Sequence, residues 1–168
     1  MAKDLDYPPL ICNIQTAYAY TMKSEYIKAI INKLEKLMYG HNYQVYFSFH
    51  IFTNCSNKSE FNNEINKHCI EFSEDSQNKT PIELDDFWKR INYGLNYRGD
   101  TTAGLHLDQH KEKELEKATN EYISFINEFI KPTTIIYSTI AQEGIYWSYS
   151  FLLRNDDKSL YISGCAED

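Results

Sequence analysis

Thr133–Gly164, TTIIYSTIAQEGIYWSYSFLLRNDDKSLYISG, reads as three consecutive strands joined by two short turns, and the architecture is built outward from it. In its middle Ile145, Trp147, Tyr149, Phe151 and Leu153 point one way, while Tyr146, Ser148, Ser150 and Arg154 point the other with Leu152 among them. A period of two belongs to a half-buried strand. Thr134–Ala141 precedes it, rich in β-branched residues and apolar on both faces through Ile135, Ile136, Tyr137 and Ile140, as suits a strand inside the sheet. Gln142-Glu143-Gly144 supplies a tight connection, since Gly144 can take a positive φ. Asn155-Asp156-Asp157-Lys158 is a turn whose side chains bond nearby backbone, and Leu160–Ser163 is a short final strand. The natural arrangement is an antiparallel meander. Trp147, Tyr149 and Phe151 are its floor, onto which helices at 24–39 and 109–130 pack.

Working backwards, Asp108 caps a long helix that runs to about Ile130 with Leu115, Ala118, Tyr122, Ile126, Phe129 and Ile130 on its inner face, and Pro132 ends it. Residues 93–107, with two glycines, are loop. Thr80-Pro81-Ile82-Glu83 carries the signature of a helix start, followed by a stripe of Leu84, Phe87, Trp88 and Ile91. Residues 54–66 are polar, and a brief strand is expected around Cys69–Phe72. Tyr43–Thr53 alternates as a long strand. Ser24 sits as an N-cap before Ile27, Ile30, Ile31, Leu34, Leu37 and Met38 at helical spacing, with Gly40 as the stop. Residues 10–22 alternate through Leu10, Cys12, Ile14, Tyr18, Tyr20 and Met22, which predicts a first strand and a right-handed strand–helix–strand crossover. The whole is a single α+β domain over residues 1–168, with mixed α/β as the alternative: one sheet of about five to six strands, a C-terminal meander and three main helices.

The chain has 168 residues, 42% hydrophobic, with 6 Gly and 4 Pro, enough for one continuous core. A net charge of -7 argues against a nucleic-acid binder, which needs a basic face for phosphates. No window has the length of a membrane span, and the acidic, proline-containing start MAKDLDYPPL lacks the apolar region of a signal peptide. A cytoplasmic protein with free thiols is expected. Cys12, Cys55, Cys69 and Cys165 form no CxxC pair, so neither zinc nor another cofactor is indicated. The glycosylation sequons at Asn54, Asn57 and Asn78 follow from the Asn-rich composition.

Three constellations invite chemistry. His106 and His110 are four apart around Asp108, but Leu107 stands where a metalloprotease helix needs its Glu, and an N-cap role for Asp108 leaves His106 outside the helix. His50 lies mid-strand, with Thr53 on the opposite face and no second His-x-Thr or His-x-Ser copy of the phosphoesterase type. Cys165 needs a neighbouring histidine to act as a nucleophile; otherwise it is a small packed thiol. Arg98-Gly99-Asp100 spells an adhesion tripeptide that a cytoplasmic chain has no receptor for. Phosphate-binding loops and nucleophile elbows are missing from the sequence.

What stands out is charge and tyrosine. Glu71–Asp86 holds six acidic residues against Lys79, a local balance of -5. Aromatics reach 15%, with 14 Tyr, and Tyr46, Tyr146 and Tyr161 fall opposite the best core stripes while Tyr93 and Tyr97 fall in a loop. They are interface residues, or core if helices cover both sheet faces. A small, acidic, motif-poor build is that of bacterial immunity proteins and antitoxins, which suggests a non-catalytic protein that neutralises a cationic toxin or enzyme by direct binding. The partner-binding residues expected are Glu71, Glu74, Asp75, Asp85, Asp86, Tyr97, Tyr146, Asp156 and Asp157, with carboxylates steering a basic protein partner and tyrosines anchoring it. The alternatives are a small hydrolase or phosphoesterase with a histidine-based site, and a phage- or host-encoded module that binds another ligand or protein, a reading that self-association through the sheet edge would favour.

Overall fold

The computed structural model describes residues 11–39, 43–53, 63, 81–99, 106–139, 145–156 and 158–167, with backbone alone for 11–21 and 53. One helix, α1 (Ile11–Met38), occupies both the strand predicted over 10–22 and the helix predicted after it. Neither Gly nor Pro falls within those 28 residues. Extending a helix adds a hydrogen bond for each residue fixed, whereas ending one and starting another repeats the nucleation cost. Ser24 is therefore an interior residue of α1 and not an N-cap.

β1 (Gln44–Thr53) comes next, as predicted. β2 (Ile135–Ser138), β3 (Trp147–Arg154) and β4 (Lys158–Glu167) form the meander. The order across the sheet is β1-β4-β3-β2, every pairing antiparallel. The last strand is thus central and ten residues long, not the short Leu160–Ser163 segment expected, and it pairs with β1 along its whole length. Among the described residues the sheet has four strands, against the predicted five to six: 11–22 is helical, and Cys69–Phe72 lies outside those residues. Because 11–22 is part of α1, the predicted strand–helix–strand crossover does not form there. The α+β class holds.

α2 (Leu84–Asn96) starts later than its sequence signature. Pro81 forms a bridge with Tyr137, and the Ile82 N–H donates to the Ile136 carbonyl at 2.9 Å, so both extend the sheet edge before the helix begins. Proline lacks an N–H and is tolerated on an edge. Glu83 becomes the N-cap, without a side-chain cap bond. α3 (Gln109–Asn127) begins as predicted, the Asp108 carboxylate accepting from the Lys111 N–H at 2.8 Å.

The helices α1, α2 and α3 pack on one sheet face. Phe125 of α3 meets Phe49 at 5.6 Å, Tyr122 meets Phe47 at 5.6 Å, and Phe87 of α2 meets Phe151 at 4.9 Å. Trp147, Tyr149 and Phe151 are buried and stacked in series, the floor the alternation predicts, although α2 rather than α1 lies over Trp147 and Phe151. On the opposite face Phe52, Leu152 and Tyr161 form a second buried cluster with Tyr137 beside it, so Tyr161 is core and not interface.

Candidate functional site

α2 reads LDDFWKRINYGLN, and its inner stripe of Phe87, Ile91, Gly94 and Leu95 is buried, while Leu84 at the start is exposed. Positions three and four apart share a helix face, so Asp86, Lys89, Arg90 and Tyr93 form one outward row. With Tyr146, Trp147 and Ser148 at the start of β3 this row lines a cleft of about 540 Å³. Gly94 brings the two elements together: a Cβ there would stand 2.9 Å from a ring carbon of Trp147.

Tyrosines close one end of the cleft. Tyr43, just ahead of β1, meets Tyr97 at 5.4 Å and Tyr146 at 5.8 Å. Tyr97 meets Tyr146 at 5.9 Å and Tyr93 at 6.3 Å. Tyr43 is buried, Tyr97 and Tyr146 are half-buried, and Tyr93 is 60% exposed. The backbone fixes this group. Tyr97 is the C-cap of α2, its N–H donating to the Gly94 carbonyl, and Arg98 donates to the carbonyls of Leu95 and Tyr97, both at 2.9 Å. Arg98 thus closes a helix end rather than presenting an adhesion motif. The Tyr146 N–H donates to the Ala166 carbonyl at 3.1 Å, tying it to β4.

The other end of the row is acidic. Asp85 and Asp86 are exposed in the first turn of α2, where negative charge complements the helix dipole. Lys89 and Arg90 follow within the same cleft, so its charge is mixed and not uniformly acidic. Arg90 reaches the Ser138 hydroxyl at 3.4 Å. Asp156 is exposed past Arg154, at the opposite end of β3 from Tyr146. Glu71, Glu74, Asp75 and Asp157 lie outside the described residues. Of the expected binding residues the cleft and the cluster that closes it therefore unite Asp86, Tyr97 and Tyr146, with Asp85 alongside.

The histidine candidates do not converge. His106 is exposed ahead of α3, Asp108 is occupied as its cap, and His110 stands 3.8 Å from Glu114. The Lys111 N–H holds the Asp108 carboxyl below the usual carboxylate range. His50 packs its ring 4.4 Å from Phe52. Burial, then the charges of Glu167 and Glu35, push the Cys165 thiol up, which disfavours the thiolate a nucleophile needs. Among the described residues no group of three or more His, Cys, Asp or Glu could hold a metal ion, and no helix is long and apolar enough to cross a membrane.

Sequence reasoning missed Lys89, Arg90, Tyr43 and the polar end of Trp147. The first two were within reach, because the outward row follows once the buried stripe of α2 is drawn. The alternation places Trp147 in the core, where it is buried, but its Nε1–H has no acceptor among the described residues. Leaving such a donor unpaired costs about 1–3 kcal/mol.

No family model matches the chain, and no curated protein is similar to it. Two crystal structures of citrus MAF1, in two crystal forms, resemble it at 11% identity and a TM-score of 0.49. They cover 83% and 82% of this chain and 97% and 98% of their own. A likeness at that level carries no argument about this chain.

Proposed function

We propose that the chain is a non-catalytic binding protein that docks another protein at the cleft between α2 and β3. The observation that carries the reading is the tyrosine group, Tyr43, Tyr93, Tyr97 and Tyr146, assembled from three separate parts of the chain at the end of an open cleft. Tyrosine rings held by their neighbours lose little entropy on contact and keep a polar tip for the partner. The cleft's outer row supplies charge of both signs, which fixes register and orientation more than it adds affinity.

In its finer form the reading is a cytoplasmic immunity protein or antitoxin whose partner is a basic toxin or enzyme. Asp85 and Asp86 would meet that partner's cations first, while Glu71, Glu74, Asp75, Asp156 and Asp157 would add to the chain's long-range attraction for it. The net charge of -7 favours such a partner kinetically.

The test is co-purification of the tagged chain from its native organism, identification of the bound protein, and titration of that protein at several salt concentrations. Tyr93→Ala should weaken binding at least about tenfold if the ring is an anchor. Asp85→Lys with Asp86→Lys should slow association and flatten its salt dependence. Affinity and salt dependence unchanged in both variants would sink the proposal.

A further inference from the structure

The cleft between α2 and β3 is lopsided in what its lining can donate and accept. Lys89, Arg90 and the Trp147 indole can only donate hydrogen bonds, and Tyr93, Tyr146 and Ser148 can do either. Asp86 is the acceptor-only group among the described lining residues, and it lies at one end. A lining of that kind is complementary to a group rich in acceptors.

Asp86 does not satisfy the two cations. Lys89 and Arg90 follow it by three and four residues, the spacing at which helix side chains pair, yet among the described residues neither forms an ion pair with it or with any other carboxylate. Elsewhere on the helices Lys23, Lys28, Lys33 and Lys117 each have a glutamate partner. Arg90 reaches the Ser138 hydroxyl at 3.4 Å, a contact that brings no negative charge. Two exposed cations thus line a concavity of about 540 Å³ shared with two tyrosine rings and an indole. Poorly polarisable walls of this kind strengthen the field that charges cast into a cleft.

We propose that the docked partner seats an acidic side chain, Asp or Glu, against Lys89 and Arg90, so that the cleft selects a carboxylate although the chain as a whole is acidic. This rests on the docking reading and names what the cleft takes. A carboxylate offers acceptors alone and forms charge-assisted bonds with both cations. Its single charge suits the place better than a dianionic phosphate, because Asp86 stands one helical turn away and the net charge is -7. Along α2 the lining runs Asp86, then Lys89 with Arg90, then Tyr93, in steps of about 4.5–6 Å. The partner's contact residues therefore run basic, acidic, aromatic. Alternate residues of an extended segment, about 6–7 Å apart on one face, match those steps.

The experiment titrates the full, isotope-labelled chain with two end-capped pentapeptides, Lys-Gly-Glu-Gly-Phe and Lys-Gly-Gln-Gly-Phe, at about 0.15 M salt. Of the two tryptophans, Trp147 lines the cleft, so its indole N–H resonance is the readout and that of Trp88 the control. Long-range attraction to a chain of net charge -7 favours the glutamine peptide, which is the more positive. The inference requires the reverse: the glutamate peptide should bind about tenfold more tightly, as charge-assisted bonds give. Lys89→Gln with Arg90→Gln should abolish that preference, with circular dichroism as the check on folding. A glutamine peptide bound as tightly as the glutamate one, a Trp147 signal that neither peptide moves, or a preference that survives loss of both cations overturns the inference. Should the double variant fail to fold, Lys89→Gln alone decides, and a preference it leaves undiminished has the same force. The docking reading fails separately, on Tyr93→Ala against the co-purified partner.

Discussion

Replacing Gly94 by alanine sets two effects of known sign against each other. Gly94 lies inside α2 with helical backbone, the positive-φ glycine among the described residues being Gly99, so alanine is conformationally welcome. In a helix interior that exchange gains about 1 kcal/mol. The added methyl, however, would stand 2.9, 3.0 and 3.2 Å from three ring carbons of Trp147. That ring is 6% exposed and has little room to retreat. It stacks on Tyr149 at 5.8 Å, which stacks on Phe151 at 5.6 Å, and Phe47 lies 6.0 Å away. Overpacking of this kind costs about 1–3 kcal/mol. The balance is a loss of about 1 kcal/mol, or a melting point lower by about 2–4 °C for a chain of this size. Urea unfolding followed by fluorescence would measure it, with Asn92→Ala on the exposed face of α2 as a control that gains propensity and meets nothing. Since α2 carries Tyr93 and Tyr97, the same methyl should weaken partner binding without altering any contact residue. A Gly94→Ala protein stabilised by about 1 kcal/mol would refute the reasoning, because propensity alone would then account for the site.

Two further outcomes follow from buried polar groups. Burial pushes Tyr122 up to about 12, its hydroxyl 3.4 Å from that of Tyr149, which burial raises well above the ordinary value. Between pH 10 and 12 the unfolded chain loses a proton that folded Tyr122 keeps, so stability falls as pH rises, by roughly 3 kcal/mol over that window. Unfolding midpoints against pH should show this slope in the wild type and in Tyr93→Phe, and lose it in the Tyr122→Phe, Tyr149→Phe double variant. Asn155 is 4% exposed, donates to the Phe129 carbonyl at 2.8 Å and bonds the Thr134 hydroxyl through Oδ1. Asn155→Ala should cost about 1–3 kcal/mol in chemical denaturation. Asn155→Asp should cost more, since it turns an acceptor toward that carbonyl.

Where the sequence was legible, one signal had one reading. The alternation from Trp147 to Leu153 could only be a strand with Trp147, Tyr149 and Phe151 inside, although Ile145, predicted on the same face, precedes β3 and is 69% exposed, and Asp108 before a periodic segment could only be a cap. Residues 10–22 carried two signals. Their even positions are apolar except Thr16, which suggests a strand, but Ala17 and Ala19 favour a helix and no Gly or Pro separates them from the stripe beginning at Ile27. Local alternation lost to the cost of stopping a helix. Asn155 was rightly placed in a turn, yet its side chain bonds Phe129, far away in the chain, because β3 ends against the end of α3. The cleft was hidden for the same reason. Tyr43, Tyr97 and Tyr146 belong to three segments that only the β1-β4-β3 order brings together, and that order depends on a final strand running to Glu167 rather than stopping at Ser163. With the shorter strand, Tyr146 would have no Ala166 carbonyl to bond and no fixed place beside Tyr43. The aromatic end of the proposed site is thus a consequence of sheet length, and shortening β4 from its C-terminal end should loosen that group before it touches the core under Phe151.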